Sequence, residues 1–428
     1  MLSRSNELTR RAAAIIIDLR TGIADERNPM IKRLKKLYAT NRNASLLILF
    51  VVLNIYMLIE IKNDRFWLSD FSVYHEAAGR ILQGENLYRG ESDGFYHYKY
   101  SPTAALYFAP LGVLPLHLAK VIYWVLLSGA ICLGFYLSTR LAIPDIESVK
   151  PACQNNIILV SALVMGVNIE RELHLGQVNQ ILLVCYLSFF ILLKSKKEIL
   201  ASLVWSASVF LKPFGLILLP YLLVRKKFKT FFFSLVFLVL LGILPVLFVG
   251  FGSLKGQFSG WVTELTIELS GKQELLNPGN HTVFSVLARY TPIRLLISGS
   301  GAVLVLQSLM LILIALIFVL ILLKGRGTPN RMALESAFLM GLIPLLAFTS
   351  YNAFGFLELA VVLVLLNLPR MRRLLAGISL AGLILVGFNM HDIVGHRLWV
   401  LFNDLSLVSA GAIVLLAVLF RMRIRGLA

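Results

Sequence analysis

Charge is what this chain has least of. Asp, Glu, Lys and Arg make up 15% of its 428 residues, against about 25% in a soluble globular domain. A soluble fold could not cover so much apolar surface. Cysteine is scarce as well, with three in all. Cys132 and Cys185 fall inside apolar runs and Cys153 in a connecting segment, with no CxxC spacing, so the three read as free thiols and a disulfide-stapled domain is excluded. Several motifs are missing too. There is no GxxxxGK[ST], no HExxH and no GxSxG, which leaves nucleotide-driven transport, zinc peptidase chemistry and the serine hydrolase elbow without support. No outer loop carries a DxD pair, so neither metal nor cofactor is expected. Acids are outnumbered, 23 against 41 Lys and Arg, giving a net charge of +18.

What fills the chain instead is hydrocarbon: 58% hydrophobic residues and a mean hydropathy of +0.79. Runs such as 230–250 and 301–323 are long enough to cross a bilayer core of about 30 Å as helices. Continuous rather than alternating apolarity excludes a β-barrel and a disordered chain. The sequence therefore reads as an all-α polytopic membrane protein. Its positive charge explains itself by position, with no nucleic-acid partner needed. Six basic clusters separate the apolar runs: Lys32 to Arg42, Lys194 to Lys197, Arg225 to Lys229, Lys324 to Arg331, Arg370 to Arg373 and Arg421 to Arg425. The positive-inside rule places all six in the cytoplasm. Segment 62–102 balances five basic residues against six acidic ones and belongs on the opposite face.

With those clusters as fixed points, spans are expected near 45–61, 117–139, 156–169, 177–194, 230–250, 300–323, 332–348, 354–367, 374–388 and 403–420. Residues 1–44 read as a cytosolic basic arm able to lie on anionic lipid, and 45–428 as one membrane-embedded domain. Segment 199–224 has basic clusters on both sides and so needs an even number of crossings, yet 26 residues cannot span twice at about 1.5 Å per residue. Two short helices broken at Lys212-Pro213 resolve this, and a break at membrane depth implies a cavity beside it. That pair brings the expectation to about twelve membrane helices with both termini cytoplasmic. Segment 103–115, with Pro110 and Pro115, is too short to span and reads as interfacial or re-entrant.

Polar residues that could carry chemistry gather on the outer side. In 62–102 the spacing of Val73, Ala77 and Ile81 and the stop at Gly84 predict a short amphipathic helix with Asp70 at its head. Asp70 there is either a helix cap or a general base. Lys212 stands fifteen residues from Lys197 and thirteen from Arg225, too deep to snorkel easily. It is either the partner of a buried acid such as Glu358 or a binding group for phosphate. Residues 170–180 pack Glu170, Arg171, Glu172, His174, Gln177 and Asn179 at the junction of two spans, as a hydrated turn or a lining for substrate. Segment 251–297 adds Asn280 and His281, and Asn280-His281-Thr282 also fits the weak glycosylation pattern.

The order Asp70-Phe71-Ser72-Val73-Tyr74, Ala77-Ala78, Gly84-Glu85-Asn86-Leu87-Tyr88, Tyr98-Lys99-Tyr100-Ser101-Pro102 and Ala109-Pro110-Leu111 is followed by Gly176-Gln177-Val178-Asn179 and Leu211-Lys212-Pro213. Together, over roughly residues 66–230, these resemble glycosyltransferase family 87, which includes polyprenol-phosphate-mannose-dependent mannosyltransferases and lies within the GT-C class. Asn280 is similar to the family's Gly-Asn element. The chain departs from the family in having Lys99-Tyr100-Ser101-Pro102 where Tyr-Pro-Pro-type sequences are common, and in its basic arm. The resemblance implies a GT-C fold in a bacterial inner membrane. It also implies transfer of a hexose, mannose foremost, from a polyprenyl-phosphate donor to a lipid or glycan acceptor on the extracytoplasmic face, inverting and without metal. Asp70 falls on the family's first-loop aspartate, the proposed base. An oxocarbenium-like transition state with a phosphate leaving group needs no acid, and basic groups would steady the departing phosphate. Lys212 is the foremost of these, with Arg171, His174, Gln177, Asn179, Asn280, His281 and Tyr74 lining the donor and substrate site, and outer segments 62–102 and 251–297 forming it.

A transporter or flippase of polyprenyl-linked glycans is the alternative, since broken helices and a deep lysine suit either. It would call for internal symmetry and polar residues spread along the spans, whereas polarity here concentrates at 62–102, 168–180 and 251–297. A glycan polymerase ranks third, the outer loops offering only scattered arginines such as Arg89 and Arg289. The topology is directly testable. Single cysteines placed in 62–102, on a background lacking Cys132, Cys153 and Cys185, should react with a membrane-impermeant maleimide added to intact cells. Reaction only after permeabilisation would reverse the orientation.

Overall fold

The computed structural model describes residues 36–94, 97–270, 275–292, scattered positions between 308 and 319, 330–347 and 351–425. The first 35 residues of the basic arm and most of the expected span 300–323 lie outside them. Among the described residues the chain is helical throughout and has no strand. In order come α1 (Ala44–Lys62), α2 (Ser69–Leu82), α3 (Pro102–Tyr107), α4 (Ala109–Gly112), α5 (Leu116–Ala142), α6 (Pro151–Val164), α7 (Gly166–Leu175), α8 (Asn179–Lys194) and α9 (Glu198–Leu211). A 3-10 turn (Pro213–Leu218) leads to α10 (Leu219–Val224), α11 (Phe228–Ile243), α12 (Val246–Ser270), α13 (Val283–Tyr290) and α14 (Arg331–Leu346). A further 3-10 turn (Tyr351–Leu357) opens α15 (Glu358–Asn367), and α16 (Arg373–Gly387), α17 (His391–Asp404) and α18 (Leu407–Arg425) close the described residues.

Among the described residues, four helical stretches are long and apolar enough to cross a membrane, and six if two bent pairs each count as one span. The protein is thus a multi-helical membrane protein. Two expected spans are not straight. The span expected at 156–169 turns by 65° between α6 and α7, and that at 230–250 by 96° between α11 and α12. The second bend falls at Pro245, where proline withholds an amide donor and crowds the preceding turn. Segment 199–224 breaks at the expected place. Lys212 is extended (φ −147°, ψ 135°) between α9 and the 3-10 turn led by Pro213. Segment 103–115 forms only the short α3 and α4.

Small residues let these helices meet closely, as bilayer packing requires. Ser202 and Ser206 of α9 donate to the backbone oxygens of Thr230 and Ser234 on α11, each at 2.9 Å. Gly382 on α16 and Gly411 on α18 touch so nearly that a Cβ on Gly411 would lie 2.9 Å from the Gly382 oxygen. The stretch running through α15 is the centre of the bundle, 78% buried against 33% for α1. At one end of the bundle, buried Glu335 on α14 gathers three arginines. Arg423 donates to it at 2.9 Å and Arg331 at 3.0 Å, and Arg225 also pairs with it. Part of the positive charge therefore gathers on one carboxylate tying α10, α14 and α18.

On the other side, α2 lies across α3, α4 and α5 as the predicted amphipathic helix. Phe71 stacks on Tyr123 at 4.2 Å and Tyr74 on Phe108 at 4.8 Å. The turn after α7 closes against it through Gly176, which holds φ 68° and has Phe71 where its Cβ would be, 2.9 Å away. Both facts demand glycine. Gly176→Val should therefore lower the thermal stability of the purified protein by roughly 2 kcal/mol or more, from backbone strain and overpacking. Gly79→Ala, in α2 with nothing within 4 Å of its Cβ, serves as the comparison. Equal melting temperatures for the two would remove the close approach from the account.

Candidate active site

Asp70 sits in the first turn of α2, but it does not cap the helix. The cap position is Leu68, in a left-handed conformation (φ 42°), and it offers no side-chain bond. The Asp70 carboxylate instead turns to the 176–178 turn, where Gln177 Nε2 donates to Oδ2 at 2.5 Å. No donor among the described residues meets Oδ1. Partial burial pushes the Asp70 pKa above the ordinary carboxylate value, opposed by the Gln177 bond and by the charges of Lys212 and Lys99.

The same Gln177 faces Lys212. Its Oε1 accepts from Lys212 Nζ at 3.0 Å and from the Tyr74 hydroxyl at 3.2 Å. Tyr74 and Tyr100 share a hydroxyl contact of 2.7 Å. The backbone oxygen of Gln177 accepts from Tyr123 at 3.0 Å, so both ends of the residue are fixed. Lys212 spends a second proton on Asn179 Oδ1 at 2.8 Å and rests between the rings of Tyr100 and Phe214. Its acid is not Glu358. Asn179 passes the contact on to Glu172 at 3.1 Å, while Glu358 accepts from Gln180 and Ser138, each at 2.9 Å.

Local chain features put these groups together. The Ser101 hydroxyl accepts from the Ala104 amide at 3.1 Å, starting α3, and donates to the Phe210 oxygen at 2.7 Å. That pins the 98–102 segment, with Tyr100, to the broken end of α9 beside Lys212. The roof is α12, turned aside by the bend at Pro245. Gln257 donates to the Glu85 oxygen at 2.9 Å and accepts from the Leu87 amide at 3.2 Å, and His97 meets Glu264 at 3.0 Å. Segments 62–102 and 251–297 thus do come together.

The remaining candidates lie further out. His174 pairs with Glu60 at 3.0 Å and packs edge-on to Trp67, away from Asp70. Arg171 lies over the Tyr351 ring at 5.7 Å. Tyr351 in turn touches His281 at 5.3 Å, and His281 Nδ1 lies 2.9 Å from the Ser406 hydroxyl. Burial, then the charges of Arg289 and Arg171, push the His281 pKa down to about 4, so the ring is neutral. Asn280 is 1% exposed and folds its Oδ1 back onto Thr282 at 2.7 Å, a turn that leaves no access for glycosylation. Tyr100, Lys99, Tyr351 and Ser406 were not among the residues chosen from sequence. Tyr100 and Lys99 stood within quoted motifs, but Tyr351 and Ser406 border apolar runs that carry no pattern. Among the described residues, no three His, Cys, Asp or Glu side chains are placed to hold a metal ion.

Comparison with known proteins follows these elements. An alpha-(1->3)-arabinofuranosyltransferase of Corynebacterium glutamicum is 32% identical over 184 residues, 42% of this chain and 40% of that protein. The chain therefore spans well under half the length of this curated relative. Residues 98–349 match the family model described as glycosyltransferase family 87, a stretch that begins after Asp70 and holds Gln177, Lys212 and Asn280. With more than half of its length so matched, the chain belongs to glycosyltransferase family 87.

Proposed function

We propose that the protein is a membrane glycosyltransferase of GT-C type, with about twelve membrane helices. It moves a hexose, mannose in our reading, from a polyprenyl-phosphate sugar to a lipid or glycan acceptor on the extracytoplasmic face. The observation that carries the proposal is Asp70: a carboxylate of raised pKa, held by one oxygen and open at the other, in a cluster with a buried lysine. Oδ1 takes the proton of the acceptor hydroxyl as that oxygen attacks the anomeric carbon. The bond from that carbon to the phosphate oxygen breaks, and polyprenyl phosphate leaves with the bonding pair. Inversion follows from attack opposite the leaving group. The reading invokes neither metal nor cofactor. Family membership and the arabinofuranosyltransferase relative support sugar transfer, and the relative's name makes arabinofuranose the second sugar to try. The concentration of polar groups in one outer cluster favours transfer over the flippase alternative.

Purified protein in liposomes, offered polyprenyl-phosphate mannose or arabinofuranose with crude lipid acceptors, should release polyprenyl phosphate. Asp70→Asn should lower turnover by roughly 10²- to 10⁴-fold while still binding donor. Unchanged turnover would return Asp70 to a structural role, and leaflet exchange of donor without transfer would favour the flippase.

The pH profile gives a second check. Asp70 works as the carboxylate, so activity falls as pH drops through its folded pKa. Because that pKa is raised, the acid limb should lie above the ordinary value near 3.9. Gln177→Leu removes a bond that lowers the pKa and should move the limb to still higher pH. A limb that stays in place, or moves down, would detach Asp70 from the proton transfer.

A further inference from the structure

A group of unpaired cations lies at the end of the α8–α9 hairpin away from Asp70. Helix α8 starts at Asn179, which holds Lys212, and runs 16 residues to Lys194, about 24 Å at 1.5 Å per residue. Helix α9 returns from Glu198 to Lys212. The turn between them is therefore far from the Asp70 cluster.

A groove of about 390 Å³ opens there between α9 and α11. Lys196, Lys197 and Lys229 line it where the two helices begin, and Ile199, Leu200, Leu203 and Phe237 line it further along. The helices run parallel: Ser202 donates to the Thr230 oxygen and, four residues on in each, Ser206 donates to that of Ser234. Parallel register brings both helix starts to one level, with Lys197 just before α9 and Lys229 in the first turn of α11. The apolar part reaches from there to Phe237, roughly 12 Å along α11.

Among the described residues none of these three lysines has a hydrogen-bond or ion-pair partner. Glu198, the carboxylate in the groove, is already matched by Lys227 at 3.1 Å. Three positive charges thus stand beside an apolar surface. Ile199 and Leu200 are 45% and 46% exposed, on a helix of a membrane protein, so the groove is reached sideways from the bilayer. Charge complementarity selects the occupant. Clustered lysines beside an apolar helix face attract anionic lipid headgroups, and an ammonium meets phosphate as a compact point charge. A zwitterionic lipid would leave the lysines without a net counter-charge, and a soluble phosphate would leave the apolar wall uncovered.

We propose that this groove binds an anionic glycerophospholipid, its phosphate among Lys196, Lys197 and Lys229 and its acyl chains along Ile199, Leu200, Leu203 and Phe237. A lipid held there pins the start of the helix whose other end presents Lys212. The site is independent of sugar transfer and stands whether or not the chain performs it.

Native mass spectrometry of the full-length protein, with dioleoyl phosphatidylglycerol or dioleoyl phosphatidylcholine titrated into the detergent, tests the site. Wild type should bind the first phosphatidylglycerol about tenfold or more tightly than phosphatidylcholine. Combining Lys196→Gln, Lys197→Gln and Lys229→Gln should remove most of that preference and leave phosphatidylcholine binding unchanged. Combining Lys194→Gln and Lys226→Gln, at exposed lysines of the same segments that do not line the groove, should keep it. Leu203→Trp should weaken both lipids, and Leu200→Trp, at an exposed position, does the same job where the first variant folds poorly. The assignment is overturned if wild type shows no preference, if the triple lysine variant retains it, or if the Lys194 and Lys226 variant loses as much, which would mean diffuse surface charge. Binding that survives both tryptophans, or release of the lipid by excess inorganic phosphate, would overturn it equally. Because the readout contains no turnover, failure of the lipid preference leaves the sugar-transfer reading untouched, and failure of transfer leaves this one.

Discussion

A single neutral amide joins the two charged groups at the centre of the polar cluster: Gln177 donates to Asp70 and accepts from Lys212. A direct ion pair between the two would hold the carboxylate ionised and its proton affinity low. The amide keeps them apart, so burial can raise the Asp70 pKa while the lysine charge only moderates it. Much of the surrounding structure exists to place that amide. Gly176 admits the turn against Phe71, Tyr123 holds its backbone oxygen, and the broken end of α9 brings up the ammonium.

The same device recurs inward. Glu172 accepts from the side chains of Asn179 and Asn352 and from the Gln180 amide, and Glu358 accepts from Gln180 and Ser138. The partners of these two carboxylates are amides and a hydroxyl. On the other side Glu335 takes three arginines. The contrast follows from what each end must do. Arginine forks around one carboxylate lock three helices with little freedom, which suits a scaffold, and removing one partner would leave a buried charge unpaired. Amides satisfy a carboxylate's lone pairs without neutralising it, which suits a site whose charges remain available.

How much of this was legible in the sequence depends on range. The amphipathic α2 and the break at Lys212-Pro213 were readable because each rests on local rules: helical spacing and proline's missing donor. The 96° bend before α12 was missed although Pro245 was in view, because the apolar run continues through it and hydropathy carries no direction. Asp70 could be placed at the head of its helix but not told from a cap, since Gln177, which decides the matter, is 107 residues away. His174 shows the reverse. Its neighbours in sequence belong to the cluster, but a helix turns, and its side chain faces Glu60. Tyr351 and Ser406 carry no mark that separates them from other polar residues at the ends of apolar helices.

The residues matching the family begin at 98, so Asp70 lies outside that stretch. Its setting does not. The bond to its carboxylate comes from Gln177, the charges that temper it from Lys99 and Lys212, and the rings that seat its helix from Phe108 and Tyr123. All five lie within the matched stretch. Helix α2 contributes the Asp70 carboxylate, the Tyr74 hydroxyl and an apolar face, and none has a fixed position without the frame beneath. The proton affinity of Asp70 is therefore a property of the family framework as much as of the aspartate, and a change at Gln177 or Gly176 would alter the chemistry of a residue that neither replaces.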